Sequence, residues 1–148
     1  MTAQMSPRGV AEAYADAYAN LTAETLDQLM GLCADQIVFH DPFNDIVGKP
    51  KLRHLLADMF ENVKSPAFEV LALYGEGRRY VLKWRFTGGM PVIGDVDFLG
   101  LSEIELNEQG LVCAHIDYWD SGPEIYAKLP VLGAAVRFVR SKLAASAR

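Results

Sequence analysis

The amino-acid sequence predicts an α+β domain in which helices cover one face of a curved, antiparallel sheet. Three observations predict it. Apolar residues recur at helical spacing as far as Val63, the pattern changes beyond Ser65-Pro66 to runs of strand formers, and short glycine-bearing segments of hairpin length separate those runs. Strands joined by successive hairpins form a meander, and amphipathic helices need an apolar surface to cover.

Ser6-Pro7 reads as an N-cap with proline in the first turn, where its missing N–H costs nothing. Val10, Ala13, Tyr14, Ala17, Tyr18 and Leu21 then line one face of a first helix. Thr22 is expected to cap a shorter second helix carrying Leu26, Leu29, Met30 and Cys33, weakened by Gly31. Residues 36–41 read as a strand ended by Pro42, with Ile37, Phe39 and Asp41 on one face and Val38 and His40 on the other. After a turn-rich loop over 43–49, Pro50 opens a third helix with Leu52, Leu55, Leu56, Met59, Phe60 and Val63 on one stripe. His54 falls on its solvated face with Lys51, Arg53, Asp58 and Glu61.

Four strands follow, expected over 67–74, 78–87, 97–106 and 111–119. In the last, alternation places Leu111, Cys113, His115, Asp117 and Trp119 on one side and Val112, Ala114, Ile116 and Tyr118 on the other. Neither side is plainly polar, and an imidazole and a carboxylate beside Leu111 and Trp119 suit the wall of a ligand cavity. In the tail, Pro130 should break the helical pattern in two. The second piece carries Val131, Leu132, Ala135, Val136, Phe138 and Val139, with Arg137, Arg140, Lys142 and Arg148 as a basic complement. It is expected to pack over the sheet or a partner subunit; too few basic residues share one face to favour a membrane surface.

With 148 residues, 51% of them hydrophobic, the chain is expected to form one domain over 1–148, in which 120–148 is a helical C-terminal extension. A net charge of -5 and a pI near 5.1 argue against a nucleic-acid partner, which needs a basic stripe facing the phosphates. Cys33 and Cys113 lie in apolar contexts without CxxC spacing and read as buried free thiols of a reducing compartment. The start MTAQMSPRGV lacks a charged segment followed by an apolar run, and no stretch reaches the ~20 apolar residues of a membrane span, so a soluble, cytoplasmic protein is expected. There is no HExxH, Cys/His cluster or GxSxG, and Gly75-Glu76-Gly77 reads as a hairpin turn; neither a metal nor a cofactor is expected.

Three stretches, CADQIVFHDPF at 33–43, GKPKLRHLLADMF at 48–60 and ELNEQGLVCAHIDYWD at 105–120, taken with the element order, resemble the nuclear transport factor 2-like superfamily. The resemblance is to its SnoaL-like group, which includes ketosteroid isomerases, polyketide cyclases and scytalone dehydratase, and it covers Val10 to Trp119. It implies a cone-shaped α+β fold, with three N-terminal helices over a curved, mainly antiparallel sheet. It also sets Asp41 where ketosteroid isomerase has its carboxylate base. The isomerase's oxyanion-hole carboxylic acid would fall on or beside Ser102, and its tyrosine near Ala17, flanked here by Tyr14 and Tyr18. Two of the three elements are thus altered, so steroid isomerisation is not expected.

On that fold, Asp41, His115, Asp117 and Trp119 are expected to face one cavity, with Tyr14 above them. His115 and Asp117 share a strand face about 6–7 Å apart along the backbone. Apolar walls penalise a carboxylate's charge and imidazole titrates near neutrality, so both residue types suit proton transfer. Catalytic roles are therefore expected of Asp41, His115, Asp117 and Tyr14, and substrate contacts of Trp119, Trp84, Phe39, Tyr80, Phe86, Ser102 and Tyr18. Plainer roles compete: Asp41-Pro42 as a turn, His115 as a satisfied core histidine, Asp117 as partner of Arg78 or Arg85, and the aromatics as core. The expected activity is cofactor-independent isomerisation, cyclisation or dehydration of a small, apolar, oxygenated molecule by general acid–base catalysis, with Asp41, helped by His115, moving the proton while Tyr14 or Asp117 positions an oxygen; the alternative is a non-catalytic ligand-binding or dimerisation module with the same cavity. An outer sheet face bearing Val38, His40, Val81, Leu99, Leu101 and Tyr118 predicts a homodimer.

Overall fold

The structure, a computed structural model, describes residues 4–145, so Arg148 lies outside the described residues. In chain order the elements are α1 (Pro7–Ala19), α2 (Leu26–Met30), β1 (Cys33–His40), β2 (Asp45–Val47), α3 (Lys49–Asn62), β3 (Lys64–Glu76), β4 (Arg79–Met90), β5 (Gly94–Leu106), β6 (Val112–Tyr118), α4 (Ser121–Glu124), a 3-10 turn (Tyr126–Lys128) and α5 (Leu132–Leu143). The strands form one open sheet in the order β2-β1-β6-β5-β4-β3, with β1 and β6 parallel and every other neighbouring pair antiparallel. This is the α+β architecture that the sequence predicts.

Helix α1 starts as expected, with Ser6 Oγ accepting the Gly9 N–H at 3.0 Å and Pro7 in the first turn. Such a cap is worth about 1 kcal/mol. Thr22 does not cap α2. That helix begins only after Thr25, whose Oγ1 accepts the Thr22 N–H at 2.8 Å, so the two threonines close the turn between the helices. Strand β1 starts at Cys33 and stops at His40, which leaves Asp41 outside the ladder. The expected loop over 43–49 contains β2, too short to show an alternation of its own, paired to β1 through Val38 and Val47.

Alternation on β4 and β5 turns Leu82, Trp84 and Phe86, and Phe98, Ser102 and Ile104, toward the helices. The core beneath α1, α2 and α3 is closed by Leu29, Ile37, Leu52, Ile104, Leu106 and Val112, all essentially inaccessible. Each such side chain contributes about 1.5–3 kcal/mol through burial. Gly100 sits directly across from Trp84, where any Cβ would overlap the indole. The missing side chain lets the ring lie flat against the sheet.

Strand β6 departs from strict alternation. Glu105 pairs with Ala114 and Leu106 with Val112, so Cys113 is an extra, bulged residue. The bulge returns Val112 to the core, while Leu111 and Cys113 are only half-buried. The inward side expected for Leu111, Cys113, His115, Asp117 and Trp119 therefore holds only from His115 onward.

Pro130 separates the 3-10 turn from α5, as expected, but α5 does not pack over the sheet. It rests on the 3-10 turn, where the Arg137 guanidinium donates to the Ala127 carbonyl and Gly133 fits against the same backbone. Leu132, Phe138, Val139 and Leu143 remain exposed. No helix among the described residues is long and apolar enough to cross a membrane.

Candidate active site

Between the inner face of the sheet and α3 lies a cavity of about 320 Å³, at the small end of the ~300–1,000 Å³ range of small-molecule sites. Helix α3 supplies Leu55, Leu56 and Met59 on one side, with Val63 just past its end, and the sheet supplies Phe39, Leu82, Trp84 and Phe86 on the other. Trp119, just beyond β6, stacks on Phe98 at 4.3 Å between ring centroids and meets Phe43 edge-on at 5.6 Å. Those aromatics form one end of the wall.

The polar groups on this surface fall into two sets. Tyr18, Ser102 and His115 are buried, and the Asp117 side chain is 15% exposed. Asp41, Asn44, Asp58 and Asn62 are more exposed and line the open side.

The buried set is built by strand pairing. Ser102 lies opposite Asp117, and Ile104 opposite His115, so β5 and β6 bring hydroxyl, carboxylate and imidazole to one patch. Trp84 Nε1 donates to Ser102 Oγ at 2.8 Å, and Ser102 Oγ donates to Asp117 Oδ1. His115 Nε2 lies 2.6 Å from the same Oδ1, and His115 Nδ1 lies 2.6 Å from Tyr14 Oη. A carboxylate only accepts, so Nε2 carries a proton and donates. Burial, with Tyr18 and Cys33 nearby, raises the Tyr14 phenol well above its ordinary range, so Tyr14 keeps its proton and shares a hydrogen bond with Nδ1 whose direction follows the tautomer of the ring. Ser102 and His115 thus both meet Asp117 at Oδ1. Its Oδ2 receives no hydrogen bond from any described residue, and Asp117 lines the cavity.

Asp41 is placed differently. Its Oδ1 accepts from the backbone of Phe43 at 2.8 Å and of Asn44 at 2.7 Å, while Asn44 Nδ2 reaches both carboxylate oxygens at 3.1 and 3.2 Å. The side chain holds an Asx turn while also bordering the cavity. Asp41 hydrogen-bonds neither His115 nor Asp117, and among the described residues no three His, Cys, Asp or Glu side chains are grouped so as to hold a metal ion.

Residues 11–115 match the SnoaL-like domain. The chain belongs to the SnoaL-like family. No curated protein matches it. Its fold is that of solved nuclear transport factor 2-like structures. A hypothetical protein with a ketosteroid isomerase-like fold from Catenulispora acidiphila, in complex with trimethylamine, is 13% identical with a TM-score of 0.67, covering 82% of this chain and 93% of its own. An LEH-like epoxide hydrolase of M. tuberculosis is 20% identical with a TM-score of 0.63, covering 89% and 93%. A candidate SnoaL-like polyketide cyclase from Shewanella putrefaciens is 17% identical with a TM-score of 0.60, covering 78% and 80%. At these identities the likeness shows the fold alone.

In this SnoaL-like domain, His115, Asp117, Asp41, Trp119, Trp84, Phe39, Phe86, Ser102 and Tyr18 all border the cavity. Two expected residues do not. Tyr14 is fully buried behind His115, where it meets the imidazole rather than a ligand. Tyr80 is buried on the same inner face as Leu82 and Trp84 but beyond the cavity, where it donates to the Gly77 carbonyl at 2.9 Å and serves the β3–β4 hairpin. Arg85 pairs with Asp97 rather than with Asp117. Phe98, Phe68 and Asn44 border the cavity without having been expected there. The parity that turns Ser102 inward also turns Phe98 inward, so that residue was open to detection from the alternation of β5.

Proposed function

We propose that this SnoaL-like protein is a cofactor-independent acid–base enzyme, an isomerase, cyclase or dehydratase of a small apolar oxygenated molecule, in which Asp117 moves the proton. One observation carries the reading: a hydrogen-bond line through Trp84, Ser102, His115 and Tyr14 ends on Asp117 Oδ1, while Oδ2 has no bond from any described residue and Asp117 lines a mostly apolar cavity. Oδ2 accepts a proton from a ligand C–H or O–H and returns it at a second position. The donors on Oδ1 hold the carboxylate plane still, so that the transfer needs no reorganisation. His115 is a positioning residue, because both ring nitrogens are engaged inside the protein.

Asp41 is the competing base, and the resemblance to ketosteroid isomerase favours it. Its Oδ1 already holds the Phe43–Asn44 turn, which supports a role for Asp41 in shaping the open side of the cavity. The fold neighbours named for an epoxide hydrolase and a polyketide cyclase are in keeping with chemistry on oxygenated molecules. We further read the protein as a single cytoplasmic domain that dimerises through the outer sheet face, where Val38, Leu99, Leu101 and Tyr118 are exposed.

A screen for proton exchange tests the function. A panel of small cyclic ketones, hydroxyketones and alcohols is incubated with the protein in D2O, and mass spectrometry reads deuterium uptake or a new product. Uptake that depends on Asp117 supports the reading. Ligand binding without any exchange would replace it with the non-catalytic binding module.

A further inference from the structure

Beyond Glu124 the sequence holds Lys128, Arg137, Arg140, Lys142 and Arg148 and no aspartate or glutamate. All nineteen acidic residues of the chain lie at or before Glu124, together with only nine of its fourteen basic ones. The chain is thus an acidic body with a basic tail. Within the tail, Leu132, Val136, Val139 and Leu143 fall at i, i+4, i+7 and i+11 and share one face of α5, with Arg140 and Lys142 on either side of it. Gly133 and Arg137 face the 3-10 turn instead. Leu132, Val139 and Leu143 are left 50%, 53% and 80% exposed. Arg140 and Lys142 form no ion pair among the described residues.

The outer sheet face supplies a matching surface. Beside α4 it forms a shallow groove in which Leu71 and Leu99 lie among the carboxylates of Glu69, Asp97, Asp120 and Glu124. Arg85 pairs with Asp97 and Lys128 with Glu124, whereas Glu69 and Asp120 have no ionic partner among the described residues. Leu101 and Glu103, both exposed, continue this surface along β5. The 12 residues of α5 extend about 18 Å. That is enough to cross the four strands from β3 to β6, which lie about 4.8 Å apart.

Two kinds of surface suit a basic, apolar helix. An anionic bilayer attracts the tail but repels the acidic body, and the chain as a whole carries -5. A second copy of this chain offers both the carbon and the carboxylates, and a two-fold axis lets each copy's helix serve the other. We propose that α5 of one copy docks across the outer sheet face of a second copy, and reciprocally, with its apolar stripe on Leu71 and Leu99 and its cations toward the carboxylates around them. The inference rests on the dimer reading above and adds to it the element that covers the face.

Charge exchange tests it, with sedimentation reading association at micromolar concentration. One variant reverses the helix, Arg140→Glu with Lys142→Glu; a second reverses the face, Glu69→Lys with Glu103→Lys. All four side chains are exposed, so each variant should melt close to the parent. The parent should be a dimer that weakens as salt rises, and each variant alone should dimerise about tenfold or more weakly. An equimolar mixture should recover dimers, because the reversed helix then meets the reversed face and the parental helix the parental face. A helix variant that dimerises as tightly as the parent, or a mixture that recovers nothing, would overturn the inference and leave the dimer to contact between the sheets alone. A monomeric parent would remove the dimer reading as well. Flotation of the parent, but not of the helix variant, with vesicles of phosphatidylserine and phosphatidylcholine would overturn it in favour of a membrane surface.

Discussion

Tyr14 on the first helix and His115 on the last strand, 101 residues apart in sequence, share a 2.6 Å hydrogen bond in the core. It ties α1 to β6, and we expect it to select the imidazole tautomer that donates to Asp117. Tyr14→Phe keeps the ring but leaves Nδ1 of His115 without a partner. An unsatisfied buried acceptor costs about 1–3 kcal/mol, so the variant should melt several degrees lower. Nitrogen NMR of His115 should show Nε2 protonated in the parent and a mixture of tautomers in the variant; the same single tautomer in both would show that Tyr14 does not set it.

Alkaline pH should destabilise the protein more steeply than surface groups alone would. Burial raises Tyr14 and Tyr18 well above 10.0 and pushes the Cys33 thiol from 9.0 up to about 12. Above about pH 9 the unfolded chain releases protons that the folded chain retains, so stability falls as pH rises; below that, these groups contribute in full. Melting temperatures should be flat near neutrality and fall through the range of the ordinary thiol and phenol values. Cys33→Ala should make the early part of that fall shallower, which thermal scans across pH can read directly.

Gly100→Ala tests how the cavity wall is shaped. The new methyl would overlap the Trp84 ring, and overpacking of this kind typically costs about 1–3 kcal/mol. The indole must shift, which breaks its bond to Ser102. The near-ultraviolet circular dichroism of Trp84 should change together with the melting temperature; an unchanged spectrum would mean that the ring does not depend on that glycine.

Dimerisation through the outer sheet face is tested by sedimentation. Leu99, Leu101 and Tyr118 are 56%, 42% and 56% exposed on adjacent strands. The parent should sediment as a dimer at micromolar concentration, and Leu99→Lys with Tyr118→Lys should sediment as a monomer with its fold intact. A monomeric parent would contradict this reading.

The helices were legible from the sequence because their apolar stripes repeat over several turns, as in Leu52, Leu55, Leu56 and Met59. The meander was legible because strand length and glycine spacing agree. Short or irregular features were not: β2 spans only Asp45–Val47, and the bulge at Cys113 reverses parity without any signal in composition. At the site, parity brings His115, Asp117 and Ser102 to one side of the sheet. Which carboxylate oxygen is free depends on cross-strand register and on the Phe43–Asn44 turn, and neither can be read from residue type. Tyr14 and Tyr18 share a helical face, yet only Tyr14 reaches a His115 nitrogen. A difference of a few ångströms between two like side chains has no signature in sequence.

The central claim is that Asp117, rather than Asp41, moves the proton, and the most direct test compares two single substitutions on the first compound found to exchange with D2O. Asp117→Asn should slow exchange by about 10²–10⁴-fold, while Asp41→Asn should retain most of the rate and instead lose stability as its turn loosens. Full exchange in Asp117→Asn with loss in Asp41→Asn would contradict the account and return the chemistry to the open side of the cavity.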